Sequence, residues 1–420
     1  MTTLARTAIQ RHVSSLFSGL GGIYPRLRRA GTECPRCLSS ACQVVVVSLL
    51  FVASAEAASR NSASVQRVYH PTEENIPSRD DLAGYIGSES VNTEDRGLQE
   101  AVGWFSGAEE VLKIGVRDGA VHDMFGKIED VAVNGSGDIF VLDFQQKKVI
   151  LFSSDGSYIQ SIGGPGAGPG EFEFPEAIGI DSSDRVIVMD AKLRVSIFAL
   201  LDTTVSLEST ITLAYPPKDM CIDGSLLYLA GAWAEEKDSY VHVYTTSGEH
   251  VRSFGSLYKS NVPFLAQGLS HGPIACGRGA ESLLYMFGWM PVIHGYAKDG
   301  ERRWTSMLAD FSSLGVVSYG ASEVRYEDDD IAYDIVANIV AVSGSYAIVQ
   351  TKHMTPKSRK ARLPYDRIST YVIALKSGDG MYVGDRFPPI QEVRGNRIYA
   401  ARTFPFPQVL VYETESVFPR

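Results

Sequence analysis

An all-β fold built from repeated four-stranded sheets is predicted by three observations. From Glu110 onward, short β-branched runs alternate with Gly, Asp, Asn and Ser clusters, and no amphipathic stretch of helical length separates them. Two segments, beginning at Asp130 and Ala177, repeat at a spacing of 47 residues. The region ends one strand short, and an unpartnered strand-like run stands at its beginning. A repeat of roughly 40 to 50 residues holding four strands encodes a propeller blade. The prediction is therefore an all-β, six-bladed β-propeller of four-stranded antiparallel blades over residues 110–420, its ring closed by an N-terminal strand.

The blades follow in order. Asp130-Val131-Ala132-Val133, the turn Asn134-Gly135-Ser136-Gly137 and Ile139-Phe140-Val141-Leu142-Asp143 open the first. Ala177-Ile178-Gly179-Ile180, Asp181-Ser182-Ser183-Asp184 and Val186-Ile187-Val188-Met189-Asp190 repeat that layout in the second. Fainter copies begin at Met220, Pro273, Asn338 and Ile390. The sixth holds three strands, and Glu110-Val111-Leu112-Lys113-Ile114-Gly115-Val116 supplies the fourth, which leaves no open edge between the termini. Asp155-Gly156, Ser247-Gly248 and Asp299-Gly300 provide the positive φ angles of short hairpins between third and fourth strands. Both sets of tight turns then share one face of the ring. The longer connections share the other, where binding is expected.

Composition narrows the function classes. The 420 residues carry 39 basic and 49 acidic side chains, a net charge of −10, with 45% apolar residues. Wholesale disorder and nucleic-acid binding are excluded on this balance. Residues 42–53 form a short apolar run, preceded by Arg26, Arg28, Arg29 and Arg36 and followed by Ala55-Glu56-Ala57, the layout of a secretory signal over residues 1–57. The expected location is secreted or periplasmic. A retained N-terminal membrane anchor is the alternative, although the run is shorter than the roughly 20 apolar residues a span needs. Cleavage would leave 33 basic against 47 acidic side chains. Cys34-Pro35-Arg36-Cys37 lacks the second pair a zinc site requires. Cys221 and Cys276 each lie in a short apolar segment and read as buried free thiols rather than a bridge. Residues 58–109, polar and aperiodic, read as a linker.

The stretch Gly163-Gly164-Pro165-Gly166-Ala167-Gly168-Pro169-Gly170-Glu171-Phe172, followed by Pro175, Ile178-Gly179-Ile180-Asp181, Val188-Met189-Asp190 and Arg194-Val195, resembles the NHL-repeat pattern. It is similar in particular to exported six-bladed β-propeller proteins of bacteria. The likeness spans about residues 125–200 and implies the architecture. Related propellers include scaffolds, protein-binding modules and a few lyases or lactonases, so it implies no single activity. Asp143 and Asp190 match the family's aspartate at the end of the second strand, which implies a carboxylate accepting N–H bonds from the following loop. The glycine-rich stretch lacks the Lys-Ser/Thr ending of a phosphate loop and reads as a blade connector.

Three sets of candidate functional residues follow. Glu129, Asp130, Glu176, Asp219 and His271 stand where innermost strands begin, and around a pseudo-symmetry axis these carboxylates and the imidazole could coordinate a hard divalent cation such as Ca²⁺. The fifth and sixth blades offer Asp334 and Glu392 at less regular offsets. Phe144, Trp233, Trp289, Met290, Met354, Phe404 and Phe406 fall in the connections between second and third strands, one large side chain or more per blade. Such a ring suits a protein or polymer partner, or else packs on its own loops. Lys352, His353, Lys357, Arg359, Lys360, Arg362 and Arg367 form a basic insertion on the same face as Glu327-Asp328-Asp329-Asp330, so the two segments pair with each other or the basic one recruits an acidic partner. His242 and His294 lie within strands and read as core. There is no Gly-x-Ser-x-Gly, no His-Glu-x-x-His and no local metal motif, so no catalytic residue is assigned. The expected function is a non-catalytic exported scaffold binding a protein or extracellular polymer, without a cofactor. A cation-dependent hydrolase or lyase at the channel mouth is the alternative from another class.

Overall fold

Why strands such as Ile139-Phe140-Val141-Leu142 are apolar without alternation becomes plain from their setting: each blade is covered on both faces by its neighbours. The computed structural model describes residues 66–69, 78–88, 95–201, 204–231, 239–259, 263–277, 282–319, 323–327 and 331–419. Blade 1 comprises Ile128–Val133, Ile139–Asp143, Lys148–Phe152 and Tyr158–Gly163. Blades 2 to 5 have the same antiparallel meander, with innermost strands Pro175–Ile180, Asp219–Asp223, Ile274–Cys276 and Tyr333–Ala341. Blade 6 is built from Ile390–Arg394, Arg397–Arg402 and Gln408–Glu413, and its outermost strand is Glu109–Ile114. That strand pairs antiparallel with Gln408–Glu413, Leu112 opposite Val411 and Ile114 opposite Val409. The ring is closed from the N-terminal side as the strand count requires.

Six buried clusters lie between adjacent blades. In blade 1 Val131, Val133, Ile139 and Val141 pack toward blade 6, with Val409, Val411 and Tyr399. Their alternates Ala132, Phe140 and Leu142 pack toward Phe172, Ile178 and Val188 of blade 2. Every second strand thus buries both of its faces, and its period-2 pattern is erased.

The repeat is also legible in the turns. Asn134 Oδ1 accepts N–H bonds from Ser136 and Asp138, and Asp181 Oδ1 accepts the equivalent pair from Ser183 and Arg185. Gly137 has φ of 88° and Asp184, in its place, 56°, so an aspartate takes the left-handed position glycine would otherwise fill. The glycine-rich connector closes on Phe172: a Cβ on Gly163 would lie 2.3 Å from that ring. Only glycine lets the blade 1 edge approach it.

Within the linker expected over 58–109, the described residues hold regular elements. Gly84–Ile86 adds a fifth, parallel strand to the outer edge of blade 4. Arg96–Ser106 is a helix, α1, capped by Asp95, whose carboxylate accepts the Gly97 and Leu98 N–H groups. Leu98, Ala101, Trp104 and Phe105 fall on one face at helical spacing and are buried with Tyr346, Phe387, Tyr412 and Phe418. The Trp104 indole donates to the Ser416 carbonyl at 2.7 Å, tying the helix to the C-terminal segment. A three-stranded sheet joins Gln66–Tyr69 to Gly315–Tyr319 and Glu323–Glu327. The expected signal region, residues 1–57, lies outside the described residues. Among the described residues no helix is long and apolar enough to cross a membrane.

The cysteine expectation is corrected. Cys221 and Cys276 are bonded to each other, their Cα atoms 5.6 Å apart across a sequence separation of 55 residues. They stand on the innermost strands of blades 3 and 4, and only the ring brings those strands side by side.

Candidate binding site at the channel mouth

Innermost strands begin, and second strands end, on the long-connection face: Ile128 pairs with Asp143, and Pro175 with Asp190. A cavity of about 470 Å³ opens on that face. Its wall includes Glu129, Asp130, Glu176, Asp219 and His271, so the five channel-mouth residues singled out in the sequence are brought together. Trp289, from the connection after the second strand of blade 4, joins them, as do Lys127, Lys218 and Lys352.

The aspartates act first as latches between blades. Asp130 accepts the N–H of Val131 through one oxygen and of Ile178 in blade 2 through the other, at 2.8 and 2.9 Å. Asp219 does the same for Met220 and, across to blade 4, Ile274, both at 2.8 Å. In blade 5 the position is Asn338, whose Oδ1 accepts from Ile339 while its Nδ2 donates to the Ile390 carbonyl at 2.9 Å. An acid stands where the next strand offers N–H, and an amide where it offers C=O. Sequence offsets alone did not reveal this alternation.

Although part of each aspartate faces the lumen, protein encloses both and removes bulk water. Burial raises the Asp130 carboxyl well above its ordinary value, against the pull of the Ile178 N–H and with a further push from Asp219. Burial likewise raises Asp219 to about 7, against the Ile274 and Met220 N–H groups and helped by Glu176. The native state therefore holds the Asp219 proton more tightly than the unfolded chain. Its contribution to stability is fullest below about pH 4, the ordinary carboxylate value, and is lost as pH rises through about 7. Between these limits the slope approaches about 1.4 kcal/mol per pH unit. Urea unfolding at pH 5 and pH 8 is expected to show a larger stability difference in the natural protein than in Asp219→Ala. Equal differences would refute the buried proton.

The other acids are occupied differently. Glu129 pairs with Lys127, and Glu176 with Lys218 at 3.3 Å. Burial raises Glu176 somewhat, opposed by Lys218. Burial and the Lys218 charge push His271 down to about 4, leaving a neutral imidazole at neutral pH. With two glutamates matched by ammoniums and two aspartates engaged by backbone N–H, the arrangement does not fit a divalent cation. Among the described residues no group of three His, Cys, Asp or Glu side chains is placed to hold one.

The aromatic set divides. Phe144 lies 6.3 Å from Phe174, which the sequence reading missed, with Lys127 4.7 Å over the first ring and Lys147 and Lys192 5.0 and 5.3 Å over the second. Trp289 is half-buried beside Tyr333, and Phe404 is 62% exposed. Met290 is core, whereas Met354 and Phe406 are half-buried. Trp233 lies outside the described residues.

In the basic insertion, Pro356–Lys360 is a short helix capped by Thr355 and Ser358. Arg359 sits over Tyr333, and His353 pairs with Asp334 at 2.9 Å, so both have local roles; Asp328, Asp329 and Asp330 lie outside the described residues. Asp143 accepts N–H bonds from Gly126, Lys127 and Gln146, and Asp190 from Glu173, Phe174 and Lys192. Both carboxylates brace loops. His242 and His294 are buried, bonded to Ser253 and Thr305.

Comparison with known proteins gives the same architecture. The family DUF5128, described as a 6-bladed beta-propeller, matches residues 123–258. No curated protein matches in sequence. Among solved structures, the chain is similar to a protein from Bacteroides fragilis described as exported: 12% identity, TM-score 0.48, 80% of this chain and all of that one. It is also similar to a member of the DUF4221 family from Bacteroides vulgatus: 10% identity, TM-score 0.44, covering 74% and 99%. Virginiamycin B lyase from Staphylococcus aureus shows 11% identity and TM-score 0.40, covering 72% and 98%. At these identities none of them assigns an activity.

Proposed function

We propose that this protein is an exported, non-catalytic binding module that engages its partner at the channel mouth on the long-connection face. The observation that carries this reading is the cavity itself. It places Trp289 among Glu129, Glu176, Lys127, Lys218 and Lys352, a half-buried aromatic wall beside closely spaced donors and acceptors. Export is supported by the basic and apolar layout of residues 1–57 and by the Cys221–Cys276 bond, which belongs to an oxidising compartment. A cation-dependent hydrolase is disfavoured because lysines already match the glutamates.

The test uses the secreted form, whose intact mass is expected to begin at Ala58. Immobilised protein is exposed to extracellular polymers and proteins from its own source. Trp289→Ala is expected to lower capture at least tenfold with an unchanged melting temperature. Capture indifferent to Trp289, together with a Ca²⁺-dependent rise in melting temperature lost in Glu176→Ala, would turn the reading toward the hydrolase.

A further inference from the structure

Of the three ammoniums lining the cavity, Lys127 and Lys218 are matched by glutamates within 4 Å, whereas the Lys352 ammonium makes no such side-chain hydrogen bond or ion pair among the described residues. It stands near the end of the second strand of blade 5, half-buried. Burial lowers its pKa; the charge of Glu129 opposes this and that of Lys127 adds to it. Glu129, the acid that acts on it, is already paired with Lys127, and a partly desolvated cation that shares its acid in this way gains from a further anion. A second observation lies on the same face. Lys147 and Lys192 converge over Phe174, which is 41% exposed, beside Lys127 over Phe144. In a chain of net charge −10 these three lysines are gathered on one sector of the rim.

The wall also discriminates among anions. An acidic peptide has side-chain carboxylates but no hydroxyl groups to offer the paired Glu129 and Glu176. Each, paired with a lysine, sets an acceptor beside a donor, the arrangement that neighbouring sugar hydroxyls satisfy. Trp289 offers a face for a sugar ring. The volume of about 470 Å³ falls within the range of small-ligand pockets, roughly 300 to 1,000 Å³.

We propose that the channel mouth binds an acidic polysaccharide, seating one sugar carboxylate on the Lys352 ammonium and a ring against Trp289, with further carboxylates following Lys147 and Lys192 along the rim. This deepens the binding reading above and rests on it.

The experiment titrates the secreted protein by calorimetry with oligogalacturonate and oligoglucuronate, with their methyl esters, and with oligoglutamate. At least one oligouronate is expected to bind, its ester at least tenfold more weakly. Because acid and ester are compared on the unaltered protein, this arm needs no variant to fold. Lys352→Met is expected to erase the difference between acid and ester, and Lys352→Arg to keep it. Equal binding of acid and ester overturns the proposal, as does oligoglutamate binding where neither uronate does. If neither uronate binds while Trp289-dependent capture persists, the polysaccharide assignment falls and the binding module stands; if that capture fails as well, both fall.

Discussion

Removal of every residue before Arg117 is expected to abolish cooperative unfolding of the ring, whereas a chain beginning at Gln66 keeps its stability. Without Glu109–Ile114, the strand Gln408–Glu413 becomes an open edge, and the buried Val409 and Val411 lose Ile114 from their cluster. The same cut removes α1, whose Leu98, Trp104 and Phe105 fill the space around Phe387 and Phe418 at the seam. Trp104→Ala tests the helix alone. Its ring is 6% exposed and stacks edge-on to Phe105 and Phe418, so its loss is expected to cost about 3 to 5 kcal/mol. Urea unfolding followed by far-ultraviolet circular dichroism measures both. A chain starting at Arg117 with an unchanged midpoint and slope would show that the ring holds without its N-terminal strand.

Loss of the Cys221–Cys276 bond is expected to be nearly as damaging. Closing a loop of 55 residues restricts the unfolded chain by about 4 kcal/mol in the chain-entropy account. The double variant Cys221→Ala, Cys276→Ala, or the natural protein under reductant, should show a urea midpoint lowered accordingly, with the far-ultraviolet spectrum retained at zero urea. Asp219 and Ile274, two residues before each cysteine, remain latched at 2.8 Å, so blades 3 and 4 keep a second link. Two reactive thiols in the unreduced secreted form would contradict the bond.

Several elements were legible because they are local. The 47-residue spacing between Asp130 and Ala177, the turns with Asn134 and Asp181, and the missing strand of blade 6 all follow from short-range pattern and a count. The loop-bracing roles of Asp143 and Asp190 were legible by resemblance, since a carboxylate at a strand end has nearby N–H groups to accept. Helix α1 was missed although Asp95 and the spacing of Leu98, Ala101, Trp104 and Phe105 signal it. Its single amphipathic turn pattern sits inside a stretch rich in Ser, Glu and Asp that dilutes any windowed reading. Lys127, Phe174, Lys218 and Asn338 were missed at the site because each is unremarked in its own segment and acquires neighbours only across blades.

Chain order, strand pattern and turn chemistry by themselves determined a ring of six four-stranded sheets, the strand that closes it, and the face on which innermost strands begin. Tertiary structure alone decided that Cys221 meets Cys276, that Asp219 is latched to Ile274, and that Lys127 and Lys218 match Glu129 and Glu176 while Lys352 lines the same cavity. The physical reason is distance along the chain: hydrogen bonds within a hairpin are set by residues a few positions apart, whereas charge balance at a channel mouth depends on residues from separate blades that only the closed ring brings together.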